Sequence, residues 1–189
     1  AFVIDDSFYS RTRSKAVELL CWVKDHADGN KNKKGFRMLT LGWTDGNSFI
    51  PVAFNLLSSA NSKVLINPAK ESLDKRTVGF KRRKNALSTS PDSALAMLKQ
   101  AVAAGIKAKY VLFDSWFSFP ATIIRICKMN LDVIAVLKDT PKIYYTFNGE
   151  KKSLREIYRT IRKRRGRAKY LASVMVELHD KEGNTLPAK

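Results

Sequence analysis

The 189 residues suffice for one ordinary domain with room for an appendage, and a hydrophobic share of 44% with 10% aromatics excludes a chain that is disordered throughout. Thirty-five Lys and Arg against 17 Asp and Glu leave a formal charge of +18, which points to a polyanionic partner: nucleic acid first, an anionic membrane surface second. Two cysteines and two histidines, widely scattered, exclude a standard zinc centre, and no apolar run approaches the roughly 20 residues of a membrane helix.

No signal-peptide pattern opens the chain, so the expected compartment is cytoplasmic. Cys21 and Cys127 sit in apolar, helical-looking stretches, LLCWV and IIRICKM, and read as buried free thiols. Ala1 already stands in a strand pattern without an initiator Met, and the sequence stops just after NTLPAK, so a piece of a longer protein is expected.

In chain order, AFVIDDS predicts a strand closed by Asp5 and Asp6. SKAVELLCWVKDH predicts a short helix with Ser14 as its cap. GFRMLTLGWTDGNSFIPVAFNLLS predicts two strands around the turn TDGNS, with Pro51 tolerated near the start of the second. Residues 59–90 are polar and basic; six cations between Lys75 and Lys84, among them Lys81, Arg82, Arg83 and Lys84, read as a surface loop or arm. SPDSALAMLKQAVAAGI predicts a helix capped around Ser90, Pro91 and Asp92, with Leu95, Leu98, Val102 and Ile106 as its apolar stripe. KYVLFDSW predicts a strand, FPATIIRICKMN a helix from Pro120, and LDVIAVLKD another strand. Strands alternating with helices, and continuous apolar runs such as YVLF and VIAVL, imply parallel strands joined by crossover helices. The expected class is therefore α/β: an antiparallel three-strand meander followed by parallel units.

Beyond Pro141 the character changes. KIYYTFNGEKKS predicts a hairpin with Asn148-Gly149 at its tip, and ASVMVEL a further strand. Between them Arg155, Arg159, Arg162, Lys163, Arg164, Arg165, Arg167 and Lys169 crowd together, interleaved with Tyr158 and Tyr170, a pattern suited to phosphate contact.

Two apolar strands, FVI and YVLF, end in Asp5-Asp6 and Asp114. Sites in open α/β sheets form beyond the carboxyl ends of strands, and neighbouring carboxylates repel unless a cation neutralises them. Hard divalent ions such as Mg²⁺ take oxygen ligands and leave positions open for phosphates, so an acidic spot in a basic surface suits two-metal phosphodiester chemistry. The alternative is that each aspartate merely caps a turn. Arg11, Arg13 and Lys15 follow the first aspartates and could hold phosphates. Trp116 could stack on an unpaired base or pack in the core with Phe117, and Lys138 follows the VIAVL strand.

VIDDS with basic SRTRSK after it, VLFDSWFSFP about 110 residues later, and the order of elements around Asp114 resemble the catalytic domain of the DDE transposases of bacterial insertion sequences. The resemblance covers residues 1–140 and implies an RNase H-like fold, with residues 141–189 as part of a β-rich insertion. It implies that Asp5 and Asp114 are catalytic metal ligands for Mg²⁺ or Mn²⁺ in a two-metal site, with Asp6 a second choice. Double-stranded DNA at transposon ends and target would be the substrate, and a homodimer the full-length form. The family's third carboxylate is a glutamate in Tyr-x2-Arg-x3-Glu-x6-Lys. Tyr144, Tyr145, Tyr158 and Tyr170 all lack the Arg, and Glu150, Glu156, Glu177 and Glu182 fall outside the pattern. The resemblance then places the glutamate beyond Lys189 and implies that this chain alone is weak or inactive. Rival readings are another RNase H-like nuclease, such as a resolvase or repair nuclease, a basic nucleic-acid-binding module without catalysis, and a domesticated transposase kept for binding.

Overall fold

The computed structural model describes residues 1–189 except 71, 165 and 167–170. It divides into two compact units, Ala1–Leu112 and Phe113–Lys189.

The first unit is organised by one long strand. Phe2–Ser10 forms β1, Cys21–Asp25 β2, Lys31–Thr44 β3 and Phe49–Leu57 β4. β3 pairs antiparallel with β1 from Phe2↔Trp43 to Ser10↔Gly35. Its other edge is shared by β2, along residues 31–35, and β4, along residues 37–44. The β3–β4 turn uses Asp45-Gly46-Asn47: Asp45 Oδ1 accepts the N–H groups of Asn47 and Ser48 at 2.9 and 2.7 Å, and Gly46 takes a φ of 106°. A register shift falls at Leu41/Gly42. A Cβ at Gly42 would come within 2.2 Å of the Phe49 ring, which would have to swing aside.

Core side chains pack on both faces of this sheet. The helix α2 (Ser90–Ala103), whose N-cap Thr89 accepts the Asp92 N–H, buries Ala94, Leu95, Met97, Leu98 and Ala101. Asn55, in register with Leu39, donates to Ser93 of α2, so α2 lies over the face that carries Leu39 and Leu41. Each fully buried leucine contributes roughly 1.5–3 kcal/mol. The opposite face packs Phe36 with Leu19, Leu20, Tyr9 and Ala86, the last residue of α1 (Val78–Ala86). β5 (Tyr110–Phe113) neighbours β1 in the sheet, and the sheet is mixed, with parallel as well as antiparallel strands.

Four expectations in this unit are corrected. The first strand does not end at Asp5-Asp6: pairing with β3 carries it on to Ser10. Residues 14–26 do not form a helix, because Cys21–Asp25 pairs with Lys31–Gly35 and Cys21 donates its thiol hydrogen to the Gly35 carbonyl. The basic stretch 75–85 is not all loop. Thr77 caps α1 by accepting the Phe80 N–H, and Arg83 ties the helix to Glu18 at 2.5 Å. The Val102 end of the α2 stripe is 41% exposed, so the stripe is buried only at Leu95 and Leu98.

In the second unit Pro120–Cys127 forms α3 and Asp132–Ala135 forms β6, shorter than its apolar run. Tyr145–Phe147 (β7) and Glu150–Lys152 (β8) make the expected hairpin. Asn148 and Gly149 take φ of 51° and 79°, the left-handed pair such a turn needs. A helix α4 (Leu154–Thr160) follows, set by a capping box between Ser153 and Glu156. Val176–His179 (β9) and Thr185–Ala188 (β10) complete an antiparallel sheet of order β10-β9-β7-β8, against which α3 packs through β9. Tyr145, Leu178, Ile126, Ile143 and Ile157 fill its interior. The α4 segment was expected only as basic sequence. Tyr170, Arg165, Arg167 and Lys169 lie outside the described residues. Both cysteines are free, Cys21 buried in β2 rather than in a helix, Cys127 half-buried in α3.

Candidate functional site

Period-two alternation decides the roles of the adjacent aspartates. Phe2, Ile4 and Asp6 share one face of β1, and Asp6 stands opposite the fully buried Leu39. Asp5 points to the other face, opposite Thr40, and is exposed. Its Oδ1 accepts the Asp6 N–H at 2.8 Å, and among the described residues no cation pairs with it.

Asp6 is committed differently. Its Oδ2 lies 2.9 Å from Arg37 Nη1, with side chains only 17% and 21% exposed. Arg37 was not singled out from sequence. It stands opposite Phe8, on the Asp6 face, two register positions along the β1–β3 pairing. Only the register of that pairing could have revealed it.

The cations after β1 are surface groups. Arg11 donates to the Tyr9 hydroxyl at 2.9 Å with its guanidinium 4.8 Å above the same ring. Arg13 and Lys15 are exposed. On α1, Lys81, Arg82 and Lys84 are exposed as well, whereas Arg83 is engaged by Glu18 and the Gly79 carbonyl. The Arg83 hydrogen bond holds the Glu18 carboxyl below its ordinary range.

In the second unit Asp114 follows the last β5 residue directly and is exposed. Its Oδ1 accepts the Trp116 N–H at 2.9 Å, an Asx turn that fixes the carboxylate relative to the indole. Trp116 is 39% exposed, while Phe117 is buried edge-to-face against Phe113. Of the two neighbouring aromatics, Phe117 is therefore core and Trp116 is surface. The ammonium of Lys138 sits 4.7 Å above the Trp116 ring and 5.7 Å above that of Phe119, and the Lys138 N–H donates to the buried Ser118 hydroxyl. Further along, Arg162, Lys163 and Arg164 are exposed, with Lys163 lying 4.2 Å above the Tyr158 ring.

Asp5 and Asp114 are oxygen donors on exposed backbone positions, and neither is held by an ion pair among the described residues. Such donors fit a hard divalent ion, which takes carboxylate oxygens and retains open positions. Among the described residues no group of three or more His, Cys, Asp or Glu is gathered as a metal site, and no helix is long and apolar enough to cross a membrane.

A family model described as DDE superfamily endonuclease matches residues 1–185. Comparison with curated proteins and with solved structures gave no match.

Proposed function

Because the chain belongs to the DDE superfamily endonucleases, with an α/β, RNase H-like fold and a nucleic-acid substrate, we propose that it is the catalytic domain of a DNA transposase. The family match over residues 1–185 carries this reading. DDE nucleases use divalent metal, and the reading names Asp5 and Asp114 as the carboxylates that hold it here. Supporting this, β1 and β5 are neighbours in the sheet, and both carboxylates are exposed. A bound Mg²⁺ or Mn²⁺ would supply Lewis-acid stabilisation of the attacking and leaving phosphodiester oxygens.

The residues of the chain then divide the work. Asp5 and Asp114 supply negative oxygen donors. Asp6, neutralised by Arg37, keeps β1 in register without competing for the ion. Arg11, Arg13, Lys15, Lys81, Arg82, Lys84, Lys138, Arg162, Lys163 and Arg164 supply sequence-independent phosphate contacts, whose contribution falls steeply with salt. Arg83, held by Glu18, contributes least among the α1 cations. Residues 141–189 are assigned to an insertion in the core, and strand transfer, a cytoplasmic location and pairing into a homodimer belong to the same reading. Two carboxylates hold an ion weakly, so the chain by itself cleaves DNA slowly or not at all.

Mn²⁺ titration followed by electron paramagnetic resonance tests this. Wild type should take up Mn²⁺ weakly, and Asp5→Asn and Asp114→Asn should each lose that uptake while Asp6→Asn retains it. Uptake unchanged in both Asp5→Asn and Asp114→Asn would sink the assignment. Efficient Mn²⁺-dependent nicking by this chain alone would overturn its predicted inactivity.

A further inference from the structure

The second unit contains a groove of about 640 Å³ that neither Asp5 nor Asp114 lines. Its walls come from the start of α3 (Phe119, Pro120), from β7 and its approach (Lys142, Tyr144, Tyr145), from Lys151 of β8, and from His179 and Lys181 at the end of β9. Four observations meet there.

First, the groove carries Lys142, Lys151 and Lys181 against a single carboxylate, Asp180. That carboxylate is already occupied: Oδ1 accepts the N–H groups of Glu182 and Asn184, and Oδ2 accepts the Asn184 amide at 2.7 Å. Second, the amino end of α3 opens into it. The N-cap, Phe119, offers no side-chain oxygen to the first turn, so that end of the helix keeps a net positive field. Third, the aromatic faces of Tyr144 and Phe119 are 43% and 39% exposed, and Lys151 lies 5.1 Å above the Tyr144 ring. Fourth, Tyr145 is 1% exposed, yet its hydroxyl has no hydrogen-bond partner among the described residues. A buried hydroxyl left unpaired is destabilising, and β7 would be served better by phenylalanine at this position unless a ligand supplies the partner.

Cations and a helix amino end want a phosphate. Exposed aromatic faces want the π-face of a base. A buried orphan hydroxyl wants a polar group brought in from outside. One ligand class satisfies all three demands, and we infer that this groove is a nucleotide site. The phosphate sits among Lys142, Lys151, Lys181 and the start of α3, the base stacks on Tyr144 or Phe119, and the Tyr145 hydroxyl closes on a polar atom of the same nucleotide. The inference rests on the nucleic-acid substrate of the proposed function but not on its metal-holding carboxylates. The nucleotide can come from an unpaired stretch of a strand or from a free mononucleotide.

Binding is measured by fluorescence anisotropy without divalent metal, in EDTA, so that failure of the carboxylate assignment cannot affect the result. The probes are a labelled single-stranded oligothymidylate, the same strand made abasic, and dTMP as competitor. Tyr144→Ala and Lys151→Ala, both surface changes, and Tyr145→Phe should each weaken the oligothymidylate roughly fivefold to tenfold. The abasic strand should bind more weakly than the intact one. Tyr145→Phe should also raise the melting temperature, a combination of tighter fold and looser ligand that a purely structural tyrosine would not give. Competition by dTMP at micromolar concentration identifies a free mononucleotide as a sufficient ligand, and its failure to compete identifies the strand. Equal binding of intact and abasic strands, or unchanged affinity in all three variants, would overturn the inference.

Discussion

Asp5 and Asp6 are chemically identical neighbours on opposite faces of one strand, and replacing each by alanine should separate stability from chemistry. Asp6→Ala leaves Arg37 Nη1 without the carboxylate 2.9 Å away, at a position where both side chains are about four-fifths buried. The gross Coulomb term at that distance is about 6 kcal/mol for an effective dielectric of 20. Desolvation of both ions in the wild type offsets most of it, and water reaching the remaining guanidinium relieves part of what is lost. A net cost of about 1–3 kcal/mol follows. For a unit of this size that lowers the melting temperature by at least about 4 °C. Asp5→Ala removes an exposed carboxylate that, among the described residues, accepts its neighbour's N–H and pairs with no cation, and should stay within about 0.5 kcal/mol of wild type. The assay is urea denaturation of the two single variants, followed by far-ultraviolet circular dichroism, with Mn²⁺ uptake measured on the same samples. Equal destabilisation by the two substitutions would refute the face assignment, because it would require Asp5 to be as deeply engaged as Asp6.

Other outcomes follow from the same structure. Gly35→Ala would place a Cβ 2.2 Å from the Tyr9 carbonyl and 2.6 Å from the Phe8 ring, so β1 and β3 must part locally; a loss of about 1–3 kcal/mol is expected in denaturant unfolding. Leu98→Ala, at a fully buried position of α2, should cost about 2–5 kcal/mol by the same measurement. Hydrogen bonds from Lys33 hold the carboxyls of Asp25 and Asp28 below their ordinary range, and the same contacts push the Lys33 ammonium up. The carboxylates therefore stabilise the fold above their unfolded value of about 3.9, and that stability drains as pH falls through their lowered values. Lys33 stabilises below its unfolded value of about 10.4 and loses this as pH rises through its elevated one. Melting temperature against pH should fall less steeply at both extremes in Lys33→Met, and an unchanged profile would contradict the network.

Much of the architecture was legible from local chemistry, and the misreadings have local causes too. The tripeptide Asp-Gly-Asn occurs twice. At 45–47 it lies between two clear strand patterns and announces the β3–β4 turn. At 28–30 it makes the β2–β3 turn, with Gly29 and Asn30 at φ of 60° and 62°, but the apolar spacing of Ala16, Leu19, Leu20 and Val23 suited a helix equally well. Strand pairing with Lys31–Gly35 decided the matter, and pairing is not a local property. α1 has almost no amphipathic pattern to betray it; Thr77 and the Arg83–Glu18 pair hold it in place. α4 did carry a signal, Ser153 followed three residues on by Glu156, inside a run whose charge drew attention elsewhere. For the candidate site, residue types and their strand context were readable, but not which aspartate faces solvent. That depended on β1 continuing to Ser10 and on Arg37 waiting across the ladder.

The strand β4 bears on whether copies of so cationic a protein join edge to edge. Its nine residues carry no charge, Phe49, Ile50 and Phe54 are more than half exposed, and among the described residues it pairs only with β3. An uncharged, aromatic-rich border of this kind invites a second molecule to extend the sheet. Pro51 offers no N–H to such an intruder, and the register shift at Leu41/Gly42 disturbs the run at the neighbouring position. Together they act as gatekeepers against colloidal self-assembly, and Pro51→Thr should convert a dispersed protein into one that scatters light on concentration, without first lowering its melting temperature.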